Sequence, residues 1–264
     1  MTSVNEYHGI FDLTGKKAIV TGGSRGIGKA LAEGLAAHGA DVAIIVKTTT
    51  DRAEGVASKI RAAGRDAMVI KADVSKEVDV ARMVAEVMAR WGRIDILVNN
   101  AGIVLPANAE NCSLVDWRET MSVNLDGVFL CSQAVGRQMI TQKSGAIVSI
   151  GSMSGRIVNW PFRHAAYNVS KAGVHMLTKC LATEWAEHGI RVNALAPGYI
   201  RTELTDKVLE SHPDVVKNHW AAGAVQNRIG AVEELVGATV YLCSGAASFT
   251  TGEIITIDGG LTLR

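Results

Sequence analysis

Seven short apolar runs punctuate the chain, with longer stretches of helical apolar spacing between them. The runs are Lys17–Thr21, Asp41–Val46, Ala67–Ile70, Ile94–Val98, Gly145–Ile150, Ile190–Leu195 and Glu253–Ile257. They are rich in Val, Ile and Ala and do not alternate with polar residues, so they predict strands covered on both faces, as in a parallel sheet. Helices are predicted over Ile27–Ala37, from about Asp51 to Ala63 with a stop at Gly64, Lys76–Trp91, Ser113–Met139, Tyr167–Glu187 and Val232–Cys243. One unbroken βα rhythm predicts an α/β fold: a single-domain, doubly wound parallel sheet of Rossmann type with helices on both faces. No repeat, linker or low-complexity segment divides residues 1–264. Only Gly198–Gly230 is long and poorly periodic, and it is expected to form a lid.

Composition narrows the class. The 264 residues carry 27 Lys and Arg against 26 Asp and Glu, a formal charge of +1. That balance gives no electrostatic footprint for nucleic acid or an anionic membrane, so neither is expected as a partner. Hydrophobic residues at 48% and charged residues at 20% supply a large core. Cys112, Cys131, Cys180 and Cys243 are scattered without a C-x-x-C pair, which points to reduced thiols and a cytoplasmic protein. Residues 1–17 hold no apolar stretch before their lysines, so no signal peptide is expected. No run of ~18 apolar residues is present to span a bilayer. His212 and His219 lack partners at metal-ligand spacing, so no metal site is expected.

The first strand hands over to the first helix through Thr21-Gly22-Gly23-Ser24-Arg25-Gly26-Ile27-Gly28. Gly22 suits a tight turn, Gly26 lets a pyrophosphate approach the backbone, and Gly28 allows close helix–sheet packing. The helix N-terminus then offers free N–H groups to phosphates. Such a loop in the first βα unit predicts dinucleotide binding.

The T-G-x-x-x-G-x-G spacing, with the motifs that follow it, resembles the short-chain dehydrogenase/reductase family from Leu13 to about Gly260. Those motifs are Asp73-Val74, Asn99-Asn100-Ala101-Gly102, Asn124, Ser152, Tyr167-Asn168-Val169-Ser170-Lys171 and Pro197-Gly198. The resemblance implies that Asp73 and Val74 flank the adenine, and that Asn100, Ala101 and Gly102 lie on the adenosine ribose side. It places Pro197, Gly198, Ile200 and Thr202 beside the nicotinamide. It also implies a homotetramer built on the helices over Ser113–Met139 and Tyr167–Glu187 and on the C-terminal strand. Those helices carry Val123, Leu125, Phe129, Val174, Leu177 and Leu181 on more than one face.

Tyr167 and Lys171 are four apart on a helix and so share a face. A phenol near its free pKa of ~10 is a poor base at neutral pH, and a neighbouring ammonium favours the phenolate. Ser152 can hydrogen-bond the substrate oxygen as charge develops on it. Ser154 has the family's commoner spacing to Tyr167, but Ser152 directly continues the strand end and is preferred. Asn124, by resemblance, orders a water linking Lys171 to solvent. The expected reaction is hydride transfer between a nicotinamide and a carbinol carbon, with Tyr167 handling the hydroxyl proton.

The second strand ends Ile45-Val46-Lys47-Thr48, with no carboxylate to hold a ribose 2′-hydroxyl. Lys47 and Arg25 supply positive charge there and Thr48 and Ser24 supply hydroxyls, so the expected cofactor is NADP(H). The substrate is expected to be a small-molecule carbonyl or alcohol, held by Ser152, Ser154, Asn159, Trp160, His164 and Tyr199, with Val104 and part of Leu204–Trp220 nearby. That polar, partly aromatic set suits a polyhydroxylated molecule. The segment Gly151–Asn159, Glu184-Trp185-Ala186 and Phe11–Lys16 resemble the polyol and sugar-ketone branch of the family (sorbose, mannitol and gluconate 5-dehydrogenases). Two alternatives stand beside a sugar ketone or polyol. One is a reductase of less polar ketones or 3-oxoacyl thioesters; the other is a non-catalytic dinucleotide sensor.

Overall fold

Alternate residues of the central strands point into two different cores. Ala18, Val20, Val42 and Ile44 pack with Leu31, Leu35 and Val240 on one side of the sheet. Ile19, Ala43 and Ile45 pack with Met83, Val87, Val135, Met139 and Leu181 on the other. This is why the runs are apolar without alternation: each face has its own helical layer. The computed structural model describes residues 9–48 and 50–263. Residues 1–8, on which much of the signal-peptide expectation rests, lie outside the described residues.

The seven strands are β1 (Lys17–Thr21), β2 (Asp41–Val46), β3 (Ala67–Lys71), β4 (Ile96–Asn99), β5 (Gly145–Ile150), β6 (Ile190–Pro197) and β7 (Ile254–Ile257). They form one sheet in the order β3-β2-β1-β4-β5-β6-β7, and every pairing is parallel. The strand order reverses between β1 and β4, which leaves a crevice at their carboxyl ends, where such sheets bind ligands. Around the sheet lie α1 (Gly26–Ala37), α2 (Thr50–Ala62), α3 (Glu77–Trp91), α4 (Leu114–Met121), α5 (Gly127–Gln142) and α6 (Ala165–Trp185). Later come α7 (Glu203–Ser211), the single turn α8 (Pro213–Val215) and α9 (Val236–Cys243).

Four predicted elements differ, the last being the helix expected from Val232, whose first turn Val232–Leu235 is a tighter 3₁₀ turn so that α9 starts at Val236. β4 begins at Ile96, not Ile94, because the backbone N–H and C=O of Ile94 bond the Gln142 side chain at 3.0 and 2.7 Å instead of a neighbouring strand. The helix predicted over Ser113–Met139 is divided by a π-turn at Ser122–Asp126. Within that turn Asn124 is fully buried and brackets Ile103, accepting from its N–H at 2.8 Å and donating to its C=O at 2.9 Å. Such a widened turn redirects one side chain without ending the helix. The third is Gly198–Gly230, whose aperiodic pattern hides α7, α8 and a second π-turn at Val216–Ala221.

Candidate active site

The loop after β1 is held by its neighbours. Gly22 and Gly26 take φ of +65° and +50°, in the left-handed region that glycine tolerates. A Cβ on Gly28 would lie 2.3 Å from the Gly22 carbonyl oxygen and 2.4 Å from Asn100 Nδ2, so no side chain fits there. Asn100 Nδ2 donates to the carbonyls of Thr21 and Gly22 at 3.0 and 3.1 Å, and the Thr21 hydroxyl accepts from the N–H groups of Asn100 and Ala101. The side chain of Asn100 therefore holds the loop in shape.

A cleft of about 610 Å³ opens above these turns. It brings together Gly22, Ser24, Arg25, Gly26, Ile27, Gly28, Lys47, Thr48, Asp73, Val74, Asn100, Ala101, Gly102 and Thr202 from the predicted set. Ile200 does not line it, because its side chain is buried in the first core. Gly198 is pinned behind β7, where a Cβ would lie 2.7 Å from Asp258 Cα, and Pro197 ends β6 opposite Ile257. Lys47, expected from sequence to supply positive charge at the end of β2, bonds Asp73 at 2.9 Å. Burial raises the Asp73 carboxyl, but hydrogen bonds from Lys47 and Ser75 outweigh it and leave the group below the ordinary carboxylate range. Arg25 has no ion pair among the described residues. Arg52, Glu119 and Glu203 also line the cleft and carry no sequence signal for it, because α2, α4 and α7 meet only in the fold. Glycine turns, an open phosphate-sized approach and a free guanidinium fit a dinucleotide.

The residues expected to handle the proton lie just past the end of β5 and on α6. Lys171 Nζ donates to the Ile150 carbonyl at 2.7 Å and stands 5.6 Å from the centre of the Tyr167 ring. Burial pushes the Lys171 ammonium down to about 8. Burial likewise raises the Tyr167 phenol above its usual value, and the Ser152 hydroxyl beside it opposes that rise. Ser152 and Ser154 share a hydrogen bond at 3.0 Å, with Ser152 capping the turn that contains Ser154. Asn124 and Lys171 face each other across Gly102, whose Cβ position lies 3.4 Å from Asn124 Oδ1 and 3.7 Å from Lys171 Nζ. Asn124 also donates to Ser170 Oγ at 3.1 Å, and Ser170 in turn donates to the Tyr167 carbonyl.

Around this set the polar atoms are incompletely paired. His164 sits edge-on to the Tyr167 ring at 5.5 Å, its Nδ1 has no partner, and burial lowers its pKa and keeps it neutral. Asn159 donates to the Tyr199 hydroxyl at 3.5 Å while its own Oδ1 is buried and unpaired. Tyr199 stacks on Trp220 at 4.2 Å, and the Trp220 indole N–H is also buried without a partner. Trp220, at the edge of the sequence candidates, is the aromatic centre of this group, with Phe162 edge-on to it. Trp160 is 58% exposed beside Arg163, at the rim of a hollow shared with Asn159 and Tyr199. Among the described residues no group of three or more His, Cys, Asp or Glu gathers as a metal cage, and no helix is long and apolar enough to cross a membrane.

Residues 22–262 match a family model described as enoyl-(acyl carrier protein) reductase. Galactitol 2-dehydrogenase of Rhizobium johnstonii is 46% identical over 260 residues, covering 97% of this chain and 98% of that protein. The crystal structure of a short-chain type dehydrogenase/reductase from Mycobacterium marinum superposes with a TM-score of 0.92 at 41% identity, over 97% of this chain and 99% of the other. A gluconate 5-dehydrogenase from Burkholderia cenocepacia, solved with NADP and tartrate, gives 0.90 at 39% identity, over 97% and 98%.

Proposed function

The chain belongs to the short-chain dehydrogenase/reductase family, and on that premise we propose that it interconverts a polyol and the matching sugar ketone with NADP(H), as a homotetramer. Bound NADP(H) supplies or accepts the hydride at the carbinol carbon. Tyr167 gives its phenolic proton to the ketone oxygen in reduction and takes the hydroxyl proton in oxidation. Lys171, anchored on Ile150, favours the phenolate by its charge. Ser152 hydrogen-bonds the same oxygen, and Asn124 holds the water that links Lys171 to solvent across Gly102. Residues 198–230 act as the lid. For the cofactor, the support is the absence of a carboxylate at the end of β2, the cations Arg25 and Lys47 in the cleft, and NADP in the Burkholderia structure.

The observation that carries a polyhydroxylated substrate is the set of buried, unpaired polar atoms on Asn159, His164 and Trp220. A buried donor or acceptor left unpaired costs about 1–3 kcal/mol, and substrate hydroxyls relieve that cost where an alkyl ketone cannot. Relatives named 3-oxoacyl-[acyl-carrier-protein] reductase, 39% and 38% identical to this chain, favour a second reading, a reductase of 3-oxoacyl thioesters. The lid weighs against it, because Glu203, Asp206, Lys207, Glu210, Asp214 and Lys217 form no basic patch for an acidic carrier. A sensing role without turnover has less support, since Ser152, Tyr167 and Lys171 are all present.

The test follows NADPH and, separately, NADH oxidation with fructose, sorbose, 5-ketogluconate, a 3-oxoacyl thioester and an aryl ketone. Saturable turnover of a sugar ketone with NADPH is expected. The Tyr167→Phe variant should lose about 10²-fold or more in turnover yet bind cofactor unchanged. Turnover confined to the thioester or the aryl ketone overturns the polyol reading, and equal use of NADH overturns the cofactor preference.

A further inference from the structure

The cofactor cleft holds three cations near the end of β2, and they are not equivalent. Arg25 carries no ion pair among the described residues, Lys47 is bound to Asp73 at 2.9 Å, and Arg52 is bound to Glu203 at 2.8 Å. Arg52 lies in the first turn of α2 and Glu203 opens α7, so this ion pair joins the β2 end of the cleft to the lid across 151 residues of sequence. Among the described residues it is the only ion pair between those two helices. It is a single contact between side chains 55% and 57% exposed, and such pairs are weak and readily exchanged.

A phosphomonoester carries between one and two negative charges near pH 7 and has three acceptor oxygens, so it needs more than one cation. Arg25 alone does not meet that need, and Lys47 is already committed to a carboxylate that burial and hydrogen bonds hold in place. The planar guanidinium fork of Arg52 suits a phosphate better than one carboxylate oxygen does.

We infer that Arg52 is a specificity-determining ligand for the ribose 2′-phosphate of the cofactor, and that it leaves Glu203 to reach that phosphate. This rests on the NADP(H) reading above. Cofactor loading then releases the first turn of the lid helix from α2, so the cleft registers a 2′-phosphate and the lid responds to it. An unphosphorylated ribose leaves the pair closed.

Calorimetric titration with 2′,5′-ADP and with 5′-AMP tests this without any turnover. Arg52→Gln should weaken 2′,5′-ADP about tenfold, as expected for one charge-assisted contact, and leave 5′-AMP unchanged within about twofold. Glu203→Gln should tighten 2′,5′-ADP about two- to fivefold by removing a competing exposed ion pair, again without moving 5′-AMP. In the double variant the part of the Glu203→Gln gain that runs through Arg52 should vanish, leaving at most the smaller direct effect of removing a carboxylate that lines the cleft. If both ligands shift alike, or if neither single variant moves 2′,5′-ADP, the assignment of Arg52 is wrong. A parent protein that binds 5′-AMP as tightly as 2′,5′-ADP overturns the cofactor reading and this inference together. A parent that prefers 2′,5′-ADP with variants that do not alter the preference overturns this inference alone.

Discussion

His175 occupies the space beneath the serine loop that side chains at Gly151 and Gly155 would need. A Cβ on Gly151 would lie 2.4 Å from its Nε2, and one on Gly155 would lie 2.7 Å from its Cε1. Burial pushes its pKa down to about 4, with the positive charges of Arg156, Lys171 and Lys179 acting in the same direction. The folded protein thus keeps this imidazole neutral through a range in which the unfolded chain, with a pKa near 6.5, takes up a proton. The unfolded state binds more protons between those values, so stability falls as pH drops from about 6.5 to about 4. The loss from this one group is of the order of 3 kcal/mol at most. Denaturant midpoints measured across that window should fall steeply for the parent and less steeply for His175→Gln, whatever the variant's stability at pH 7.5. Parallel curves would remove His175 as the source. Nothing in the sequence marks this histidine apart from the six others, because its consequence depends on two glycines of another element.

At the scale of elements, α7 shows a helix supported by its cap more than by its packing. None of its residues is fully buried. Thr202 Oγ1 accepts from the Thr205 N–H at 3.3 Å, and Thr205 Oγ1 accepts from the Thr202 N–H at 2.7 Å, so two free donors of the first turn are met reciprocally. Removing such a cap costs about 1 kcal/mol, which corresponds to roughly fivefold faster local opening. Hydrogen exchange of the cofactor-free Thr202→Ala protein should therefore quicken at residues 203–206 and stay unchanged in the central strands, with Thr202→Ser restoring protection. Unaltered exchange at the start of α7 would show that the cap does not hold it. The strands were readable because two cores impose a long apolar signature on them. α7 was not, because nine residues interrupted soon after by Pro213 give too few turns for a period to stand out from a loop. The glycine loop, Ser152, Tyr167 and Lys171 were readable because their chemistry demands particular residue types at short spacing. Arg52 and Glu203 were not, since each acquires its meaning in the cleft from a neighbour far away in sequence.

For the whole molecule, the apolar residues that pointed to a tetramer divide into two groups. Val123, Val174 and Leu181 are buried within the chain's own fold and Leu177 packs against its second core, so they say nothing about association. Leu125 is covered by Gly173, where a Cβ would lie 2.9 Å from its Cδ2. Phe129 on α5 is 40% exposed, and it is joined by Val169 and Met176 on α6 and by Leu114 and Val115 on α4, all exposed. Both α4 and α5 pack against α6, so these side chains belong to one helical layer. Large apolar side chains left exposed on one helical layer are where a subunit contact is expected. In a homo-oligomer with two-fold symmetry the same patch meets itself, which makes each substitution count twice per interface. Light scattering on the parent should give four times the 28.0 kDa chain mass. Met176→Glu with Phe129→Lys places charges where two copies would bury them, and should yield dimers or monomers that keep the parent's far-ultraviolet circular dichroism. Dissociation with retained fold would locate the interface on α4–α6. A parent that runs as a 28.0 kDa species removes the tetramer outright, and a variant that stays tetrameric moves the interface to another face.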